Sequence, residues 1–146
     1  MPIDLNSLGL VAASTAFLSI WVGHISVRKI EAHIVQLWKP VSVAIFLGLA
    51  LEYAALVIPD RALSVVCGIL GITLLWDAFE IKRQARRVYQ GHTPANPHNQ
   101  RHNAWLADAC SGATILDILN RAPVGRLVGA EEAASLVTNQ GAVWTK

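Results

Sequence analysis

Residues 41–79 read VSVAIFLGLALEYAALVI-PDR-ALSVVCGILGITLLWDAF, two apolar runs of 18 residues each, at 41–58 and 62–79, joined by Pro59, Asp60 and Arg61. At the helical rise each run is about 27 Å long, close to the thickness of a bilayer core. Neither carries a polar stripe at helical spacing. Helices apolar all round are hard to cover with protein in a chain of 146 residues, so membrane spans are expected rather than the buried helices of a soluble bundle.

A third run, residues 5–22 (LNSLGLVAASTAFLSIWV), precedes the hairpin. It resembles a secretory signal in length, but its basic cluster follows it instead of leading it. It is expected to be a retained span whose N-terminus, with Asp4, is translocated. Eleven of the twelve Lys and Arg fall in residues 28–39 and from 82 onward, with Arg61 the exception. Positive charge gathers on the cytoplasmic side, so the pattern predicts N-terminus out and C-terminus in. Trp21, Trp38 and Trp76 all fall at the same predicted cytoplasmic interface, where indole rings prefer to sit. Residues 24–40 are too long for a tight turn. Val27, Ile30, Ile34 and Leu37 share one helical face, so this piece should lie along the interface or extend the first span.

Ionisable residues in or beside the spans are the natural functional candidates. Glu52 lies about 9 Å inside the second run, where a carboxylate should face protein or be protonated. The hairpin sets Glu52 level with Gly68 and Gly71, whose small surfaces leave room for it. It reads either as a neutral carboxyl bonded between helices or as a proton or cation site. At the predicted cytoplasmic face stand His24, Arg28 and Glu31 at helical steps, with Asp77 and Glu80 near the end of the third run. These suit an ion-pair network tying helix ends together, or a metal or quinone site using His24 with Glu31 or Glu80. The ligands assignable to a metal are few.

Residues 80–89 should continue the third helix and stop at Gly91, with Lys82, Arg83, Arg86 and Arg87 against anionic headgroups. Because that cluster abuts a span, nucleic acid is not the expected partner. Asn96-Pro97 reads as a helix start, putting His98 and His102 four apart on one face, a spacing a metal could use. No acidic general base lies between them. Trp105, Leu106, Ala109, Cys110, Ala113, Leu116 and Leu119 recur at helical spacing up to Pro123, and a short helix is expected over 130–137. Cys67 and Cys110 form no ligand or disulfide pattern. Phosphate-binding glycine loops, a nucleophile elbow, CxxC and c-type haem signatures are absent from the sequence.

Gly23-His24 with Val27, Lys29 and Glu31, then Leu51-Glu52, Gly71 to Trp76 with Glu80, Arg87-Val88, Gly91, Pro94 and Asn96-Pro97 together resemble a family of small bacterial inner-membrane proteins classed as a domain of unknown function. The resemblance covers about residues 5–97. It implies three transmembrane helices, residence in the bacterial inner membrane and no established activity. The family's members mostly end soon after the Asn-Pro pair, so the tail departs from the pattern.

The expected architecture is all-α: a three-span membrane domain over 1–97, with an interfacial amphipathic helix, and a partly helical cytoplasmic tail over 98–146. The expected role is that of a non-enzymatic accessory, assembly or oligomer-forming subunit with no cofactor, its partners the bilayer and further copies or a larger complex. Its rivals are a small proton or ion conduit using Glu52 and a quinone- or haem-binding anchor using His24.

Overall fold

The computed structural model describes residues 7–116. It contains four helices in chain order: α1 (Ser7–His33), α2 (Trp38–Val57), α3 (Arg61–Tyr89) and α4 (Gln100–Ala107). The described residues contain no strand. The first three helices are each long and apolar enough to cross a membrane. The segment after the first run extends α1 to His33 instead of forming a separate interfacial helix.

At 27 and 29 residues, α1 and α3 are about 40 Å and 44 Å long, whereas a bilayer core is about 30 Å. The surplus projects at the end that carries Arg28, Lys39 and Lys82, here termed the basic end. The short α2 returns the chain to the opposite, Pro59 end.

Local chemistry sets these boundaries. At the Pro59 end the Asp60 carboxylate accepts from the Leu63 N–H at 2.7 Å and caps α3. Pro40 is tolerated in the first turn of α2 because its missing N–H would have had no helical partner there. Gly91, with φ +77°, ends α3. The His92 N–H bonds to the Arg87 carbonyl and the Gly91 N–H to that of Val88, the paired reversed bonds of a Schellman cap.

Helix α3 is the axis of the bundle, and α1 and α2 each pack on α3 rather than along each other. Between α2 and α3 the backbones meet at Gly48 and Gly71: a β-carbon on either would come within 3.0 Å of the other's carbonyl oxygen. Ser64 Oγ donates to the Ala55 carbonyl at 2.7 Å nearer the turn. Between α1 and α3, Ser19 and Thr73 hydroxyls lie 3.3 Å apart. The apolar core sits at the basic end, where Val27, Val41, Ala44, Ala78 and Ile81 cluster under Ile30 and Leu37. The outward faces of the long helices carry exposed Phe17, Phe46, Leu56, Ile72 and others.

Two expectations for the tail need correction. Helix α4 starts at Gln100 with Asn99 as its cap, three residues after the Asn96 start expected. The apolar repeat from Trp105 does not make one long helix: α4 stops at Ala107, and 108–116 run as turn, bend and chain without regular secondary structure. That segment is held by backbone bonds from the Gly112 N–H to the Tyr89 carbonyl and from the Ala95 N–H to the Thr114 carbonyl. Tertiary bonding to the end of α3 overrides a helical pattern already weakened by Gly112. Asp4, Leu119, Pro123 and the helix expected over 130–137 lie outside the described residues.

Candidate functional site

The buried face of α1 is the row Gly23, Val27 and Glu31, spaced by four. A carboxylate continuing a buried row needs partners, since burying it alone is prohibitive. The partners come from α4. Glu31, 2% exposed, accepts through Oε1 from Arg101 Nη2 and from His102 Nε2, each at 2.8 Å. His102 has no exposed surface. Its Nδ1 accepts from the Asn96 N–H at 2.9 Å, which places the ring's proton on Nε2, facing Glu31. The ring is thus the neutral Nε2–H tautomer, stacked on Trp105 with centroids 5.3 Å apart.

The same segment closes the C-terminus of α1. A helix leaves its last carbonyls without partners and carries partial negative charge there, so amide and cationic donors suit it. Arg101 Nη2 donates to the Glu31 carbonyl at 2.7 Å. Asn96 Nδ2 donates to that of Ala32 at 2.9 Å, and Asn99 Nδ2 to the same oxygen at 3.1 Å. Asn99 is buried and serves two helices, its Oδ1 accepting from the Arg101 N–H to cap α4. Burial draws the Arg101 pKa down from its ordinary value, and the Glu31 carboxylate, by charge and hydrogen bond, acts in the opposite sense. Trp105 completes the arrangement, edge-on to Tyr89 at 5.6 Å and under the Arg101 guanidinium at 5.1 Å.

The other candidates fall into separate places. Glu80 is buried and pairs with Arg87 at 2.7 Å and Arg83 at 3.5 Å. Two of the four basic residues expected at headgroups therefore bind a carboxylate of their own helix. Lys82 and Arg86 are exposed. Asp77 lies against α1, where a β-carbon at Gly23 would stand 2.6 Å from its Oδ2. His24 is exposed and near enough to Asp77 to act on it electrostatically. Arg28 is exposed too. Glu52 lies in the seam between α2 and α3, its Oε1 2.8 Å from where a β-carbon of Gly71 would be, while Gly68, the other glycine expected beside it, faces Ala55.

The cluster is thus split: Glu31 turns to α4, Glu80 to its own helix and Asp77 to Gly23, while His24 stays outside. His98 is exposed and His102 buried, so the pair does not face a common ligand. Among the described residues no group of three or more His, Cys, Asp and Glu stands where it could hold a metal ion. Arg101 and His102 were missed as partners of Glu31, and Asn96 and Asn99 as donors to the last carbonyls of α1. The signal available was Glu31 itself, a charge on the apolar row that begins with Gly23 and Val27.

An all-helical chain with three span-length apolar helices and a polar staple at one end defines a class, the small multi-pass helical membrane protein. Within it, the chain belongs to the family described as a domain of unknown function (DUF4491), whose model matches residues 6–99. That match takes in Glu31, Glu52, Glu80, Asn96 and Asn99 and stops just before Arg101 and His102. No curated protein and no solved structure is similar to the chain.

Proposed function

We propose that the protein is a non-enzymatic accessory or assembly subunit of the bacterial inner membrane, N-terminus out and C-terminus in, acting as an oligomer or within a larger membrane complex. One observation carries the reading: in the three span-length apolar windows only 11%, 11% and 17% of residues are buried within the chain. Most residues of the spans therefore keep surface that lipid or other proteins can cover. The strongest polar groups are already engaged near the helix ends, Glu31 with Arg101 and His102, and Glu80 with Arg83 and Arg87 of its own helix. The orientation is supported by positive charge at one end and by Trp21, Trp38 and Trp76, all exposed.

The test is purification from native membranes in a mild detergent, followed by mass spectrometry of the intact assembly. A stoichiometric oligomer or complex is expected. Recovery of the single chain alone, at membrane-like concentration and in several detergents, would reject the reading.

A conduit using Glu52 is favoured by one specific observation. This carboxyl lies inside α2 and forms no hydrogen bond or ion pair with any described residue. On that reading, liposomes holding the protein dissipate a proton gradient and Glu52→Gln abolishes the leak while leaving assembly intact. On the accessory reading, wild type and Glu52→Gln are equally tight.

A further inference from the structure

Because α1 and α2 lie on α3 and not along each other, a groove runs between them with α3 as its floor. Residues 34–37 join the two helices at the basic end, where the groove runs over the core cluster, with Val27, Ala44 and Ile81 of that cluster among its lining. The groove holds about 470 Å³ and is walled by side chains such as Leu18, Leu47, Leu51, Leu70 and Leu74. Its charged group is Asp77, next in sequence to Ala78 of that cluster. Thr73, Ser19 and Ser26 are also on the wall, the first two engaged with helix carbonyls and with each other. Asp77 forms no hydrogen bond or ion pair with any described residue. Its oxygens rest on the backbone of Gly23, the small residue that admits them.

An apolar slot whose one charged wall group is a carboxyl toward the basic end complements a molecule that is apolar along its length and ends in a small hydrogen-bond donor. A phospholipid head does not suit it. A phosphate near Asp77 would put two negative charges together under apolar side chains, where both repulsion and desolvation oppose it. We propose that the groove binds one single-chain lipid with a hydroxyl head, of the long-chain alcohol, isoprenol or quinol class. Its chain lies along Leu47, Leu51 and Leu70, and its hydroxyl donates to Asp77.

The probe is hexadecanol carrying a diazirine in its chain, photolysed with the full-length protein in nanodiscs. The expected adducts map to the segments holding Leu47 and Leu70 and are competed by unlabelled hexadecanol. The methyl ether of the same chain cannot donate and competes about tenfold more weakly, as loss of one hydrogen bond to a charged acceptor implies. Asp77→Leu weakens labelling by a similar factor. Leu47→Trp, which fills the groove from its half-exposed wall without touching Asp77, abolishes labelling. Competition by farnesol or a decyl hydroquinone below the concentration needed for hexadecanol supports the site and identifies the chain it prefers. Equal competition by alcohol and ether, stronger competition by hexadecylamine, or wild-type labelling in either variant overturns the proposal. So does a disulfide between copies formed through Leu47→Cys, which would make a second protein chain the occupant.

Discussion

Glu31 has a role out of proportion to its single charge. Among the described residues it is the carboxylate by which α1 holds the segment after α3, and of its partners His102 is fully buried and Arg101 mostly so. Removing one member of such a pair leaves the other charge buried without compensation, typically about 3–5 kcal/mol. Glu31→Ala is therefore expected to free α4 while α1, α2 and α3 remain packed. Amide exchange over 95–107 should accelerate and trypsin should cut after Arg101, whereas Glu31→Gln, which keeps an acceptor, shows a smaller effect. Unchanged exchange over 95–107 in Glu31→Ala would refute the staple. The residues of this site were unevenly legible in sequence. Glu31, Glu52, Asp77 and Glu80 stand out because a charge in or beside an apolar run demands an explanation. Arg101 and Asn99 lie in a polar stretch, where such residues are ordinary, and what makes them functional is a contact with carbonyls about 70 residues away.

The helices themselves were readable because length and apolarity alone decide them, and the caps at Asp60 and Gly91 follow from local rules that need no tertiary knowledge. The extension of α1 and α3 beyond the bilayer was partly legible, in the apolar positions Val27 and Ile30 and in the continuation of α3 to Gly91. The misread element is the one after Trp105. Its apolar spacing suited a helix, but Gly112 meets Gly91 and the Tyr89 carbonyl takes the Gly112 N–H and the Ser111 hydroxyl. The contact is tight enough that a β-carbon at Gly91 would overlap the Gly112 carbonyl oxygen. Gly91→Ala thus meets two penalties, the left-handed backbone at about 1–2 kcal/mol and this overlap. Residues 108–116 are expected to detach in this variant, seen as lost protection of the Gly112 and Ala95 amides, with the helical content of α1 to α3 unchanged. Retention of both protected amides would show that the glycine pair is not what seats the segment.

At the scale of the whole molecule, length and charge point the same way. The surplus turns of α1 and α3 carry Arg28, Lys29, Lys82, Arg83, Arg86 and Arg87, and the staple lies over those same turns, whereas the Pro59 end carries a tight turn with Arg61 alone. Trp21 and Trp76 are level with each other, because Gly23 and Asp77, one or two residues further on, are in contact. Trp38 opens α2 at the same end. A helix bundle with indoles at one level and cations just beyond them has its interface there, and cations are retained on the cytoplasmic side during insertion. The expected topology follows: a cysteine at Asp60 labels from outside the cell, and a reporter fused after Lys146 is active only in its cytoplasmic form. Changing Lys82, Arg83, Arg86 and Arg87 together to Gln weakens the charge bias that orients α3 and also removes both partners of buried Glu80. Part of the population should then expose Asp60 to the cytoplasm, whereas changing exposed Lys82 and Arg86 alone, which leaves the Glu80 pairs in place, should produce less inversion. Equal inversion by the double and quadruple variants would assign orientation to surface charge and leave the Glu80 pairs no part in it, and labelling of Asp60→Cys only from the cytoplasm in the wild-type background would reverse the topology altogether.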